Sequence, residues 1–376
     1  MRTILETGMI LMLFASAFWG CGGPQQPAAT SSDGKTAEVR QPVDNVGYTH
    51  KSDGIGKVIA QAEKLEEDLI RENQAKLGLG PDTGFVAAIA PHDDYAYASR
   101  VYVHALSRIK ARHVLLIGVA HKARDFPDIE NRLVFDAFKA WHGPYGNVAV
   151  SPLREEILKR LPAGDVIVKN EFVSVEHSLE ALVPWLQHYD REVEIVPILV
   201  PYMPFDRLSA LARDAAKAVD EAMKAMGLTL GKDVAILISS DAVHYGDQDW
   251  NGRNSADFGT NGAGYDQAVA RDHTLIADHL ANDLSVEKLE GLFHKLVQDD
   301  VHEYRITWCG RFSIPFGLSL LMDLAGIEKT PLPQGHLLRY GTTLDPGRSD
   351  PGVSGLGVTA PANLHHWVGF ASIGYW

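Results

Sequence analysis

Three apolar runs end in chemically similar places. Phe85-Val-Ala-Ala-Ile-Ala-Pro91 leads into His92, and His113-Val-Leu-Leu-Ile-Gly-Val-Ala120 leads into His121. Val234-Ala-Ile-Leu-Ile-Ser-Ser240 leads into Asp241, with His244 three residues further on. Short, continuously apolar runs of this kind read as strands buried on both faces of a sheet. Helical spacing fills the intervals. It predicts helices over residues 55–77, 99–109, 153–161, 178–188 (kinked at Pro184), 205–226, 263–280, 286–296 and 312–324, with further strands at 193–200 and 367–375. Strands alternating with helices define an α/β fold with a mainly parallel central sheet and helices on both faces. No composition shift divides residues 51–376, which read as one domain. In such a sheet, ligands gather at the carboxyl ends of the strands, so groups remote in sequence can converge there.

The chain of 376 residues carries a net charge of −13. With no large Lys/Arg cluster, this argues against nucleic acid or an anionic membrane as an electrostatic partner. Near the start, an apolar stretch at 9–19 follows Arg2 and precedes Gly20-Cys21-Gly22-Gly23-Pro24. It is too short to span a bilayer and reads as a lipoprotein-type signal over 1–21, with Cys21 as the lipidated residue. Phe18, Trp19 and Glu6 depart from that pattern, and the other reading is a buried N-terminal helix. Residues 22–50, rich in small and polar residues, read as a flexible linker. The expectation is an exported lipoprotein, held on the periplasmic or cell-surface side by its lipid alone. With Cys21 lipidated, the second cysteine, Cys309, has no disulfide partner. It is then a metal ligand, a reactive thiol or a small buried hydrophobe.

Five motifs bear on the chemistry. In Pro91-His92-Asp93-Asp94-Tyr95 the proline stops strand pairing and presents His92, with Asp93 or Asp94 available to orient an imidazole. Before His121, Gly118 permits a sharp turn or the close approach of a ligand. Asp241 and His244, in Ser239-Ser-Asp-Ala-Val-His244, suit metal ligation or an acid/base histidine steered by a carboxylate. Cys309 lies beside Arg311, a setting that favours a thiolate. Two histidines and a cysteine suit Fe(II), Cu or Zn, and do not suit Mg or Ca. Glu176-His177-Ser-Leu-Glu180 reads either as a helix cap or as part of the site.

These residues resemble the Memo family, whose bacterial members are called AmmeMemoRadiSam system protein B. The resemblance rests on Pro91-His92 with Tyr95, Gly118 with His121, Glu176 to Glu180, Ser239-Ser240-Asp241 with His244, and Cys309-Gly310-Arg311. The segment after Trp141, His142 to Val148, also follows the family's pattern. The matches keep the family's order across residues 85–311. The resemblance implies a fold like that of class III extradiol dioxygenases, the non-heme iron enzymes that open catechol rings. It further implies His92, His121 and Cys309 as ligands of iron or copper, with zinc as a third candidate. His244 would stand in the place of an acid/base histidine with Asp241 beside it. Glu176 and His177 would line the site, and from their places in the motifs Tyr95, Asp93, Asp94 and Arg311 are expected in the pocket as well. Asp93-Asp94 replaces the family's Ala-Gly, and Val119-Ala120 replaces Pro-Ser. The lipoprotein-type start would separate this chain from the family's usual companions, an AMME-type protein and a radical SAM enzyme.

Two functional expectations follow. One is a metal-dependent, dioxygenase-like oxidoreductase acting on a small molecule. The alternative is a non-catalytic protein that sequesters metal or binds a peptide or protein partner. A hydrolase using metal-activated water has no further motif behind it.

Overall fold

The computed structural model describes residues 38–250, 252–347 and 356–376. Four strands form the centre of one sheet: β2 (Ala87–Ala90), β3 (His113–Val119), β8 (Glu194–Val200) and β9 (Val234–Ser239). They lie side by side in the order β8-β3-β9-β2, and every pair is parallel. Nearly every residue in them is buried, which explains the unbroken apolar runs: neither face meets water.

On the far side of β2 lies the antiparallel β12 (His366–Tyr375), flanked by β11 (Gly335–Thr342) and β10 (His244–Gly246). Beyond β8 the sheet continues through β6 (Val148–Val150) and β5 (Ala140–Trp141) to β1 (Val39–Arg40). The small strands β4 (Leu133–Phe135) and β7 (Val166–Val168) pair beside β8. The sheet is thus mixed, with a parallel heart.

Helices cover both faces. On one face, α9 (Ser313–Glu328) packs on β3 and β9, with α6 (Phe205–Met226), α3 (Leu153–Leu158) and α8 (Val286–Leu296) outside or beside it. On the other, α2 (Tyr95–Leu106) lies on β2, β11 and β12, and is covered by α1 (Ser52–Leu77) and α5 (Val183–Tyr189). The short α4 (Asn170–Val173) lies near β4, and α7 (Gly262–His279) against α8. Among the described residues no helix is long and apolar enough to cross a membrane.

The amphipathic helices at 205–226 and 286–296 form as their spacing predicts. Two expectations need correction. The predicted helix at 178–188 begins only at Val183, with Pro184 in its first turn, where a proline costs no hydrogen bond; there is no kink. The expected linker at 22–50 extends too far. From Glu38 onward the chain packs on the body: Arg40 and Tyr48 are buried, and β1 pairs with β5. Residues 1–37, including the signal-like segment and Cys21, lie outside the described residues.

Candidate metal centre

Because β9 is flanked by β3 and β2, the turns after these three strands emerge from adjacent ends, about 4.8 Å apart across the sheet. This adjacency converts three remote motifs into one site. Donor atoms of His92, His121 and Cys309 lie within 4.8 Å of one another, and an overlapping group of Asp241, His244 and Cys309 meets the same limit.

His92 follows Pro91 at the tip of β2. Its backbone N–H donates to Asp241 Oδ1 at 2.9 Å, and its Nδ1 lies 2.8 Å from Ser239 Oγ. The hydroxyl of Ser239 donates its only proton to the carbonyl of Ser178. It therefore accepts from His92, whose proton sits on Nδ1. Nε2 lies 3.3 Å from Asp241 Oδ2.

His121 is held from the opposite side. Its backbone N–H and Nδ1 contact Glu176 Oε2 and Oε1 at 2.6 and 2.7 Å. Burial would push the Glu176 carboxyl up, but the adjacent His121 charge overrides it and keeps Glu176 ionised. Burial opposes a charge on His121 as well, yet Glu176 and Cys309 raise its pKa well above the ordinary 6.5. The carboxylate can only accept, so His121 also carries a proton on Nδ1 and turns Nε2 inward. A carboxylate that sets a ligand imidazole's tautomer is a recurrent device of metal sites.

Glycine makes two of these approaches feasible. A Cβ on Gly118 would stand 2.6 Å from Leu179 and 2.7 Å from Leu199. The close approach here is therefore by a core leucine, not by a ligand. With Leu179 seated on β3, the Glu176–Glu180 segment crosses the strand tips. Ser178 Oγ donates to Val119 O at 2.8 Å, and the carbonyl of Ser178 is bound by Ser239. These residues are thus a site loop rather than the start of a helix. At Gly310 an added Cβ would fall 2.2 Å from Ser240 Oγ. Its absence lets Cys309-Gly310 lie against the tip of β9, where Gly310 N–H donates to Ser240 Oγ at 3.0 Å.

A bridge between Val243 and Trp308 and a bond from His244 N–H to Thr307 O at 3.0 Å align Cys309 with His244. Cys309 Sγ lies 2.9 Å from His244 Nε2, and Asp241 Oδ2 lies 3.8 Å from the same nitrogen. Burial would raise the thiol's pKa, but His244, His121 and His92 together draw it well below 9.0. Asp241 is likewise lowered to about 2, against its burial, by His92 and His244. The sulfur is buried and surrounded by imidazoles, which favour its thiolate form. His177 stacks on His121 with centroids 4.7 Å apart, and burial together with the neighbouring His121 lowers its pKa to about 3, leaving it neutral.

The other anticipated pocket residues make contacts of their own around these donors. The bonds that hold His92 do not come from Asp93 or Asp94: Asp93 Oδ1 accepts from Asp94 N–H and its carboxyl feels the charges of Asp241 and His244, and Asp94 is taken up by Thr359 N and Oγ1. Ser239 and Asp241 orient His92 instead. Tyr95 is fully buried among Tyr48, Tyr102 and Trp185, with its hydroxyl donated to Ala181 O at 2.6 Å. It supports the site from beneath. Arg311 is buried too, its guanidinium 3.5 Å above the Tyr304 ring and its Nη2 donating to His302 O at 3.2 Å. Tyr304, which no motif marked, feels the charges of Cys309, His121 and His244.

The architecture defines a protein with a transition-metal-type donor set at the carboxyl edge of a parallel α/β sheet. Its sequence matches the family model described as Memo-like protein over residues 56–354. It is 30% identical over 230 residues to a MEMO1 family protein of Aquifex aeolicus, covering 60% of this chain and 68% of that one. A MEMO1 family protein of Thermococcus kodakarensis is 30% identical over 199 residues, 50% of this chain and 61% of its own. One of Desulfurococcus amylolyticus is 25% identical over 273 residues, 70% and 78% respectively. The chain belongs to the Memo-like family.

Proposed function

We propose that this protein binds a single transition-metal ion through His92, His121 and Cys309, and that the loaded centre performs redox chemistry on a small molecule. The observation that carries the reading is the convergence of these three donors within 4.8 Å, with both imidazoles locked by bonds at Nδ1 so that Nε2 faces the thiolate. A thiolate with two imidazoles favours iron or copper, with zinc as the redox-inert competitor. When bound, iron or copper would supply Lewis acidity and one-electron chemistry. The chain's own residues would handle the proton: His244, with Nε2 2.9 Å from the ligand sulfur and 3.8 Å from Asp241 Oδ2, would hold or release it.

The test is the metal content of anaerobically purified full-length protein beside Cys309→Ser and His121→Ala. Stoichiometric iron or copper that falls in both variants is expected. Folded wild-type protein that takes up neither metal would overturn the reading. Oxygen consumption with catechols then separates catalysis from holding.

A second reading, metal sequestration or presentation to a partner, is favoured by one specific observation. Cys309 is only 5% exposed and His92 only 2%, so a bound ion would be deeply enclosed. Loaded protein that retains its ion and consumes no oxygen with any catechol would support it. For location, the signal-like segment before Cys21 supports export and lipid anchoring. Cys21→Ala should then end incorporation of a labelled fatty acid.

A further inference from the structure

The segment 38–50 reaches both halves of the centre from outside the range matched by the family model, which begins at residue 56. Arg40 is 2% exposed and lies 4.3 Å above the Trp141 ring. Its Nε donates to Val173 O at 3.1 Å, its Nη2 to Glu176 O, and its Nη1 pairs with Glu180 Oε2 at 2.6 Å. One guanidinium therefore spans the entry, the first residue and the last residue of the loop whose Glu176 carboxylate holds His121.

Glu180 binds back to the same segment. Its carboxylate accepts from Val43 N–H at 2.9 Å and Asp44 N–H at 2.7 Å. Asp44 Oδ1 then accepts from Val46 and Gly47 N–H, which turns the chain toward the other ligand. There the hydroxyl of Tyr48 donates to the carbonyl of His92 itself, and Gly47 O accepts from Tyr95 N–H at 3.0 Å. The loops carrying His92 and Glu176 come from different strands. Among the described residues, this segment anchors both through their main chains at a distance from the donor atoms.

We propose that residues 38–50 are a positioning strap for the centre: Arg40 fixes the loop that orients His121, and Tyr48 fixes the turn that presents His92. The inference rests on the metal-binding reading above. Outer residues that orient ligands typically alter metal affinity by about 10–100-fold, whereas packing remote from the ligands is expected to leave it unchanged.

The experiment uses full-length Tyr48→Phe, Arg40→Met and Arg40→Lys. Tyr48→Phe removes one hydroxyl and keeps the ring in its aromatic cluster, so the fold should survive it. Anaerobic competition titrations with Fe(II) and Cu(I) should show affinity falling by about tenfold or more in Tyr48→Phe and Arg40→Met. Arg40→Lys, which keeps a donor toward Glu180, should recover part of the loss. In metal-free protein, amide exchange should quicken at 90–95 and 174–181 while α6 and α9 stay protected.

Affinity within twofold of wild type, or quicker exchange spread evenly over the whole fold, would overturn the strap. Wild-type protein that takes up no metal would overturn the metal-binding reading, and the exchange pattern would still decide whether the strap fixes the two loops.

Discussion

The carboxylate of Glu176 receives both the backbone N–H and Nδ1 of His121, at 2.6 and 2.7 Å. One residue therefore fixes where His121 begins and which way its ring turns. Glu176→Gln keeps the shape but loses the negative charge, and an amide nitrogen in place of either oxygen would oppose an N–H donor. Metal affinity should fall by about 10–100-fold, with the fold intact by circular dichroism. An unchanged titration curve would show that His121 needs no orienting carboxylate.

Ser239 does the equivalent for His92. Its hydroxyl donates to Ser178 O and accepts from Nδ1 at 2.8 Å. Ser239→Ala removes the acceptor at Nδ1 and leaves acceptors only on the Nε2 side, Asp241 and Cys309, so the ring proton should shift to Nε2. Nitrogen-15 NMR of metal-free protein reads the tautomer directly. An Nδ1–H signal surviving in the variant would contradict the assignment.

These pairs mark the boundary of what a sequence shows. The strand tips were legible because β2, β3 and β9 are buried on both faces and read as nearly continuous apolar runs; His92, His121 and Asp241 stand where those runs break. The amphipathic α6 and α8 were legible because one face of each meets the core. Hydrogen-bond direction was not legible. Nothing in Ser239-Ser240-Asp241 tells which hydroxyl orients His92, and Asp93 looked as suitable as Asp241. Glu176–Glu180 has the composition of a helix start, but seating Leu179 on Gly118 turns it into a loop. Residues 38–50 read as a tether because their polar groups are mostly satisfied by remote main chain, a pattern without periodicity. The short strands β4 to β7 were too brief to show alternation.

Gly310 offers a steric prediction. An alanine Cβ would sit 2.2 Å from Ser240 Oγ and 2.9 Å from Ile314 Cγ1, and both neighbours are buried. Neither can withdraw without moving β9 or α9. Gly310→Ala should destabilise the fold by about 1–3 kcal/mol and, by displacing Cys309, weaken metal uptake more than a mutation of equal cost far from the centre. Urea melts and metal titrations on the same preparation provide the comparison. Wild-type stability in the variant would mean that the Cys309-Gly310 segment does not pack as closely as described.

Asp272 provides the pH test. It is fully buried on α7 and accepts from Trp308 Nε1 at 2.9 Å, Tyr340 OH at 2.8 Å and Val243 N–H at 3.2 Å. Burial nevertheless outweighs these three donors and raises its pKa from 3.8 to about 6. A folded-state pKa above the unfolded value means that the native state holds the proton more tightly. The stabilising contribution is therefore complete below pH 4 and is lost as pH rises through 6. Asp272→Asn removes the titration but keeps a group of similar shape. The stability of wild type relative to the variant should therefore fall by about 1–3 kcal/mol between pH 4 and pH 7, read from urea midpoints and slopes at several pH values. A difference that stays flat, or that grows with pH, would mean the three donors prevail and hold Asp272 ionised beneath the segment that carries Cys309.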